Sequence, residues 1–170
     1  MKKITVIFLL LLAFGSCACH ADEGGGVMKL TSPVFAHNQS IPEKYTCQGE
    51  DINPPLVIEG VPGEARSLAL IMDDPDAPMG TWVHWVVYDI GIIPRIEENS
   101  IPGKQGSNNF RRKDYGGPCP PSGTHRYFFK IYALDNQLGL EEGINKASLE
   151  KAMQGHILQK AELIGLYKKR

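Results

Sequence analysis

The chain has 170 residues, with 18 Lys and Arg against 19 Asp and Glu, so its formal net charge at pH 7 is −1. A nearly neutral chain gives no support for nucleic-acid binding, which requires a basic surface. The length suits a single domain with one ordinary hydrophobic core.

The first 21 residues have the organisation of a secretory signal peptide: a short basic start, an apolar run over Ile4–Phe14, and a stretch of small residues. The apolar run is about half the roughly 20 residues needed to span a bilayer, which disfavours a membrane anchor. We therefore expect an exported protein, periplasmic or secreted, that is cleaved after Ala18 or Ala21. Lipoprotein anchoring through Cys17 stays open as an alternative.

Residues 22–27 are polar and glycine-rich and are predicted to form a flexible tether before a single domain over residues 28–170. Cleavage after residue 21 would leave 16 Lys and Arg against 19 Asp and Glu, a formal charge of −3. The only cysteines in this part are Cys47 and Cys119. Because an exported protein meets an oxidising compartment, they form either a disulfide or two buried thiols.

Short runs rich in β-branched and aromatic residues, separated by Pro and Gly clusters, predict a mainly β fold of the antiparallel β-sandwich type. The predicted strands cover residues 56–58, 67–72, 82–90, 125–134 and 161–167. Asn145 is expected to cap a short C-terminal helix over residues 146–153, which Gly155 would end. Peripheral helical turns complete the predicted fold.

The two central strands each carry a histidine. Strict alternation puts His84 on the same face of its strand as Tyr88, and His125 on the same face as Tyr127. If the two strands are neighbours, both histidines can face one pocket. The long segment 91–122 is rich in Pro and Gly and is predicted to form the rim of that pocket.

An Asp-rich loop beside two histidines favours anion binding, with protonated imidazoles and the backbone N–H groups of Gly116–Gly117 as donors. A nearby carboxylate such as Asp74 would keep an imidazole protonated at neutral pH. Asp76 and Arg126 are instead predicted to form a buried ion pair that ties the loop to the sheet.

Two other uses of the same residues stay open. Metal ligation would use Asp74, Asp76, His84 and His125, although no close His spacing supports it. Catalysis would have His125 activate Ser122 or Cys119, although neither lies in a nucleophile-elbow pattern.

Three segments resemble the signatures of the phosphatidylethanolamine-binding protein family: Asp73–Pro78, Trp82–Trp85 and Gly123–Tyr127. Further similarity lies in Tyr45–Cys47, Asn53–Leu56, Gly116–Pro121 and Met153–Leu158. The resemblance covers essentially everything after residue 28 and points to the bacterial YbhB/YbcL-like branch. Cys119 departs from the pattern, since some relatives carry a proline there, and the long C-terminal helix of the animal proteins is absent or shortened.

This resemblance implies a binding protein, not an enzyme, with no cofactor and no metal ion. By position, it implies a ligand-binding set of Asp74, His84, Gly117, Pro118, His125 and Tyr127. Members bind phospholipid head groups and related phosphates, so the expected partner is a small anionic ligand or a phospholipid head group. Relatives also act as protease or kinase-pathway inhibitors, so a protein partner bound by segment 91–122 is the alternative. The chain is expected to be a monomer or homodimer.

Overall fold

The structure is a computed structural model that describes residues 26–170. The predicted signal peptide, with Cys17, lies outside the described residues, and so does the predicted tether as far as residue 25. Within residues 26–170, no helix is both long enough and apolar enough to cross a membrane.

The described chain forms nine β-strands and one α-helix. The strands are β1 (Lys29–Thr31), β2 (Gln39–Ser40), β3 (Leu56–Glu59), β4 (Ser67–Asp74), β5 (Trp82–Ile90), β6 (Arg95–Ile96), β7 (Lys104–Gln105), β8 (Thr124–Leu134) and β9 (Ile157–Lys168), and the helix is α1 (Lys146–Met153). The predicted mainly β fold with one short C-terminal helix is confirmed. The five predicted strands correspond to β3, β4, β5, β8 and β9, whereas the strands of two or three residues are too short to show a periodic pattern.

The strands form two sheets. The small sheet has the order β1–β3–β6, and the large sheet has the order β2–β9–β8–β4–β5–β7. Neighbours are antiparallel except β2 and β9, which pair in parallel. Because β4 lies between β5 and β8, the two strands that carry the histidines are not neighbours. The sequence analysis made a shared pocket depend on their being neighbours, and this condition is not met.

The main core lies between the two sheets and a second core lies on the outer face of the large sheet. Leu70 of β4 points into the main core, whereas Ile71 joins the second core beneath α1. This accounts for the apolar character of β4 on both faces, since a strand covered on both sides has no solvent face to make polar.

Helix α1 closes the second core. The side chain of Asn145 accepts a hydrogen bond from the backbone N–H of Ser148 at 2.9 Å, which caps the helix as predicted. Leu149 and Met153, one turn apart, are buried against the large sheet. Gly155 follows the helix with φ +80°, a left-handed conformation that glycine adopts without a steric cost.

Candidate functional site

A pocket of about 330 Å³, here called the main pocket, opens where β4 ends and β5 begins. Its polar lining includes Asp74 and His84, while Pro78, Met79, Trp82 and Phe110 form apolar walls. The loop after β4 and segment 91–122 thus meet at one site. Phe110 was missed by the sequence analysis, although the segment that carries it was predicted as the rim.

A β-bulge directs His84 into this site. The register between β4 and β5 shifts between Met72 and Asp73, and His84 is left without a partner on β4. The bulge interrupts the alternation along β5, so the prediction that His84 shares a face with Tyr88 is wrong. Tyr88 lies in the second core, whereas the His84 ring packs edge-on against Tyr127 of the main core, with ring centroids 5.2 Å apart.

The imidazole of His84 has a fixed tautomer. Its Nδ1 lies 2.6 Å from the carbonyl oxygen of Gly116, and because a carbonyl can only accept, Nδ1 donates. The Nε2 atom makes no hydrogen bond with any described residue. Phe110 packs against the ring with centroids 5.3 Å apart, and His84 is only 2% exposed. The ring is thus held by backbone and aromatic contacts, with one nitrogen available to a ligand.

Burial lowers the pKa of His84, while the Gly116 carbonyl and the charge of Asp74 oppose this effect. The expectation that a nearby carboxylate keeps the imidazole protonated is therefore wrong for His84, because its desolvation is the larger effect. A lowered pKa makes His84 neutral at pH 7.

His125 is buried and reaches the site through Asp74. Its Nδ1 lies 2.7 Å from Oδ2 of Asp74, and Oδ1 of the same carboxylate accepts the backbone N–H of Asp76 at 2.8 Å. Asp74 lines the main pocket, whereas His125 does not. The carboxylate is therefore fixed on both oxygens, with the imidazole behind it.

The loop over Gly116–Cys119 is attached to the rest of the domain by several contacts. Cys47 and Cys119 are joined by a disulfide with their Cα atoms 5.5 Å apart, and the backbone N–H of Cys47 donates to the carbonyl of Pro118 at 3.2 Å. The backbone N–H of Gly117 donates to Oδ1 of Asp51 at 2.6 Å. Gly117 and Pro118 do not line the main pocket, although Gly117 lines an adjoining cavity.

Tyr127 lies beneath the main pocket and does not line it. It is fully buried, and its hydroxyl has no hydrogen-bond partner among the described residues. Burial raises its pKa, so the phenol stays protonated. The backbone N–H of Cys119 lies near the hydroxyl but forms no hydrogen bond with it. In this structure Tyr127 supports the His84 ring from below.

Asp76 and Arg126 form an ion pair, but not a buried one. The guanidinium donates to the Asp76 carboxylate from Nε at 2.9 Å and from Nη2 at 2.7 Å, and the backbone N–H of Arg126 donates at 2.9 Å. The two side chains are 28% and 53% exposed, which corrects the predicted burial. Hydrogen bonding to Arg126 lowers the pKa of Asp76 to about 2.

The other two uses of the site find less structural support. Within residues 26–170, no three His, Cys, Asp or Glu side chains converge as metal ligands. Cys119 is bonded to Cys47 and so offers no thiol as a nucleophile. Ser122 is exposed and makes no hydrogen bond with His125.

The fold and the site together define a class, the β-sandwich binding protein with a small pocket at the end of its central strands. The family model described as "Phosphatidylethanolamine-binding protein" matches residues 31–168, and the chain belongs to this family. The resemblance found in the sequence is thereby confirmed. Proteins of this family are generally non-enzymatic binding proteins.

Curated relatives and solved structures agree with this membership. The chain is 46% identical to a UPF0098 protein of Pyrococcus horikoshii, in an alignment that covers all of this chain and 91% of the relative. A UPF0098 protein of Methanothermobacter thermautotrophicus is 49% identical, over 84% of this chain and 99% of the relative.

Two crystal structures resemble the fold closely. A phosphatidylethanolamine-binding protein homologue of Chlamydia trachomatis has a TM-score of 0.83 and 46% identity, over 85% of this chain and 99% of the other. YbcL of E. coli, described as a member of the mammalian family, has a TM-score of 0.79 and 25% identity, over 85% and 100%.

Proposed function

We propose that this chain is an exported, non-enzymatic binding protein whose main pocket holds the anionic group of a phosphate, a phosphorylated metabolite or a phospholipid head group. The observation that carries the proposal is the orientation of His84. Its Nδ1 is committed to the Gly116 carbonyl, and its Nε2 is the ring nitrogen left to a ligand at the pocket wall.

The chemistry of the pocket fits a ligand that brings its own negative charge. A neutral imidazole that gains a proton becomes a donor at Nε2 as well as at Nδ1, and hydrogen bonds from a charged donor to an anion are roughly twice as strong as neutral ones. A second imidazole, that of His125, lies behind Asp74, which lines the main pocket. The ligand therefore supplies the charge that makes protonation of His84 favourable.

Export is supported by two separate features. The N-terminal sequence has the organisation of a signal peptide. The Cys47–Cys119 disulfide is of the kind that persists in oxidising compartments and is rare in the cytosol. Mass spectrometry of the purified protein would report the mature N-terminus, any lipid on Cys17 and any bound ligand at once.

Titration calorimetry with inorganic phosphate and with phosphoethanolamine tests the pocket. We expect the wild type to bind at least one of them and His84→Ala to bind it about tenfold more weakly, which corresponds to roughly 1.4 kcal/mol. The matched control is His156→Ala, because His156 is a partly exposed histidine that pairs with Asp135 beyond the opposite end of β8 from His125. Equal binding by His84→Ala and the wild type, or no binding by the wild type, would contradict the proposal.

A second candidate function is the binding of a protein partner through segment 91–122. Two isoleucines on this segment favour it, since Ile92 is 49% exposed and Ile101 is 79% exposed. A pull-down with the purified protein tests it against the first candidate. A partner that binds His84→Ala but not Ile101→Ser would support this function, whereas one lost with His84→Ala would assign the contact to the pocket.

A further inference from the structure

The main pocket is the first of three neighbouring cavities that share lining residues. Phe110 and Cys119 line both the main pocket and an adjoining cavity of about 310 Å³, here called the middle cavity. Asp51 and Arg112 in turn line both the middle cavity and a third one, also of about 310 Å³, here called the far pocket. The middle cavity therefore adjoins both the main pocket and the far pocket.

Closely packed backbone shapes the wall of the middle cavity. A Cβ atom added to Gly116 would lie 2.5 Å from the Phe110 ring, and one added to Gly117 would lie 2.6 Å from Oδ1 of Asp51. Neither position accepts a larger residue without movement of its neighbours. Glycine backbone therefore forms part of the wall of the middle cavity, which lies between the main pocket and the far pocket.

The far pocket contains a buried amide with an uncommitted donor. Gln105 is 7% exposed, and its Oε1 accepts a hydrogen bond from Nε1 of Trp85 at 2.9 Å. The indole N–H is only a donor, so this contact identifies which end of the amide is the oxygen. The Nε2 atom makes no hydrogen bond with any described residue, although Gln105 lines the far pocket. A hydrogen-bond acceptor on a ligand would give this Nε2 donor a partner.

One cationic side chain at the far pocket has no ion-pair partner among the described residues. The guanidinium of Arg112 donates from Nη2 to Asp51 at 3.4 Å and forms a salt bridge with Asp114, whose carboxylate lies 3.0 Å from Nε. Both carboxylates of the pocket therefore have a cationic partner. Lys113 lines the same pocket and forms no ion pair with any residue of the described chain. Its ammonium and the Gln105 amide are thus two donors without partners.

We propose that the far pocket is a second subsite, which binds a carboxylate at the distal end of an elongated ligand whose anionic head occupies the main pocket. The inference rests on the proposed function and narrows it to compounds with a phosphate-like group at one end and a carboxylate at the other. The carboxylate accepts from Nε2 of Gln105 and pairs with Lys113. Trp85 and Tyr115, perpendicular with ring centroids 5.5 Å apart, line the same pocket.

Calorimetry with two matched series of phosphonates tests the subsite in the full chain. One series carries a terminal carboxylate on alkyl chains of increasing length, and the other has the same chains without it. We expect the carboxylate to improve affinity by about tenfold at one chain length and by no measurable factor at shorter lengths. If methylphosphonate binds but the carboxylate adds nothing at any length, the subsite is wrong and the proposed function stands. If no phosphonate binds, both are wrong.

The variant Gln105→Glu isolates the uncommitted donor. A glutamate keeps an oxygen for the Trp85 indole but replaces the free NH₂ by a second oxygen, which repels a ligand carboxylate. We expect it to abolish the gain from the carboxylate and to leave the affinity for methylphosphonate unchanged. Lys113→Gln should reduce the same gain in affinity. Lys151→Gln, which removes an exposed charge that lies on α1, should not reduce it. An undiminished gain in Gln105→Glu would overturn the proposal.

Discussion

His125 donates from Nδ1 to Oδ2 of Asp74 at 2.7 Å, and both side chains are more than nine-tenths buried. Only the carboxylate of this pair lines the main pocket. An anion in the pocket therefore lies near a negative charge, which by itself is unfavourable. The proposed binding consequently depends on a proton that His84 takes up with the ligand.

The affinity for sulfate should rise as the pH falls. Burial lowers the pKa of His84 in the free protein, so the imidazole is neutral at pH 7 and binding a dianion must draw a proton onto it. Above the pKa of the free protein, we expect affinity to fall about tenfold per pH unit for each proton taken up. Sulfate is the suitable probe because, unlike phosphate, it does not titrate near neutral pH.

Calorimetry in two buffers of different ionisation enthalpy would measure the number of protons taken up with each sulfate. The variant His84→Ala should take up one proton fewer than the wild type. A sulfate affinity that does not change between about pH 8 and pH 6, where an ordinary histidine titrates, would contradict the proton-linked model.

The variant Tyr127→Phe should stabilise the free protein. The buried hydroxyl of Tyr127 has no partner among the described residues, so its removal relieves a desolvation cost of about 1 kcal/mol. Urea unfolding would measure the change. Tyr115→Phe is the matched control with the opposite sign, because the Tyr115 hydroxyl donates to the Tyr45 carbonyl at 2.9 Å and its loss leaves that acceptor unpaired. A loss of phosphate affinity in Tyr127→Phe would assign the hydroxyl to the ligand, as the sequence predicted.

Residue patterns within single segments were sufficient to predict the long strands and the helix. The strand β5 has its predicted bounds, and α1 begins after Asn145 because a capping side chain and an apolar spacing lie within one short segment. The long strands β8 and β9 likewise show enough β-branched and aromatic residues to be recognised. Such elements depend mainly on their own residues.

The features that the sequence did not predict depend on pairing and packing between distant segments. The bulge at His84 exists because the register of β5 shifts against β4, and alternation along one strand contains no information about its neighbour. Phe110 lies in a polar stretch without periodicity, so its place beside His84 is decided by the path of a long loop. The bulge in β5 and the position of Phe110 together bury His84. This burial is the reason that the imidazole is neutral and not protonated as expected.

Reduction of the disulfide should cost about 4 kcal/mol of unfolding free energy, because Cys47 and Cys119 are 72 residues apart and the bond closes a long loop. Urea unfolding with and without a thiol reductant would measure this difference. The double variant Cys47→Ser/Cys119→Ser is the control, since its stability should not respond to the reductant. A wild type whose midpoint is unaffected by full reduction would contradict this account.

Asp73 ties α1 to the large sheet, and its removal should destabilise the fold. The buried carboxylate accepts from Lys130 at 2.8 Å and from Lys146, the first residue of α1, at 2.5 Å. Asp73→Asn leaves Lys130 without a carboxylate partner and Lys146 with only Glu150, at 3.7 Å. Because hydrogen bonds to charged groups are lost, we expect a loss of about 2 kcal/mol in urea unfolding. Glu150→Gln, which removes only the exposed partner of Lys146, should change stability by about 0.5 kcal/mol or less. Similar losses in the two variants would contradict a special role for Asp73.

The ion pair between Asp76 and Arg126 should stabilise the pocket loop only above strongly acidic pH. Arg126 lowers the pKa of Asp76 from 3.8 to about 2, so the folded state holds this carboxylate deprotonated where the unfolded state has begun to protonate it. The contribution is therefore present above about pH 4 and is lost as the pH falls through about 2.

Because Arg126 is 53% exposed, solvent screens the pair, and we expect only a small contribution at neutral pH. The difference in unfolding free energy between the wild type and Asp76→Asn should shrink as the pH is lowered across that window. Arg126→Gln should lose the same pH-dependent component, and the double variant should lose no more than either single one, because both changes break one interaction. A difference that stays constant down to about pH 2 would assign the effect of Asp76→Asn to the loop backbone and not to the ion pair.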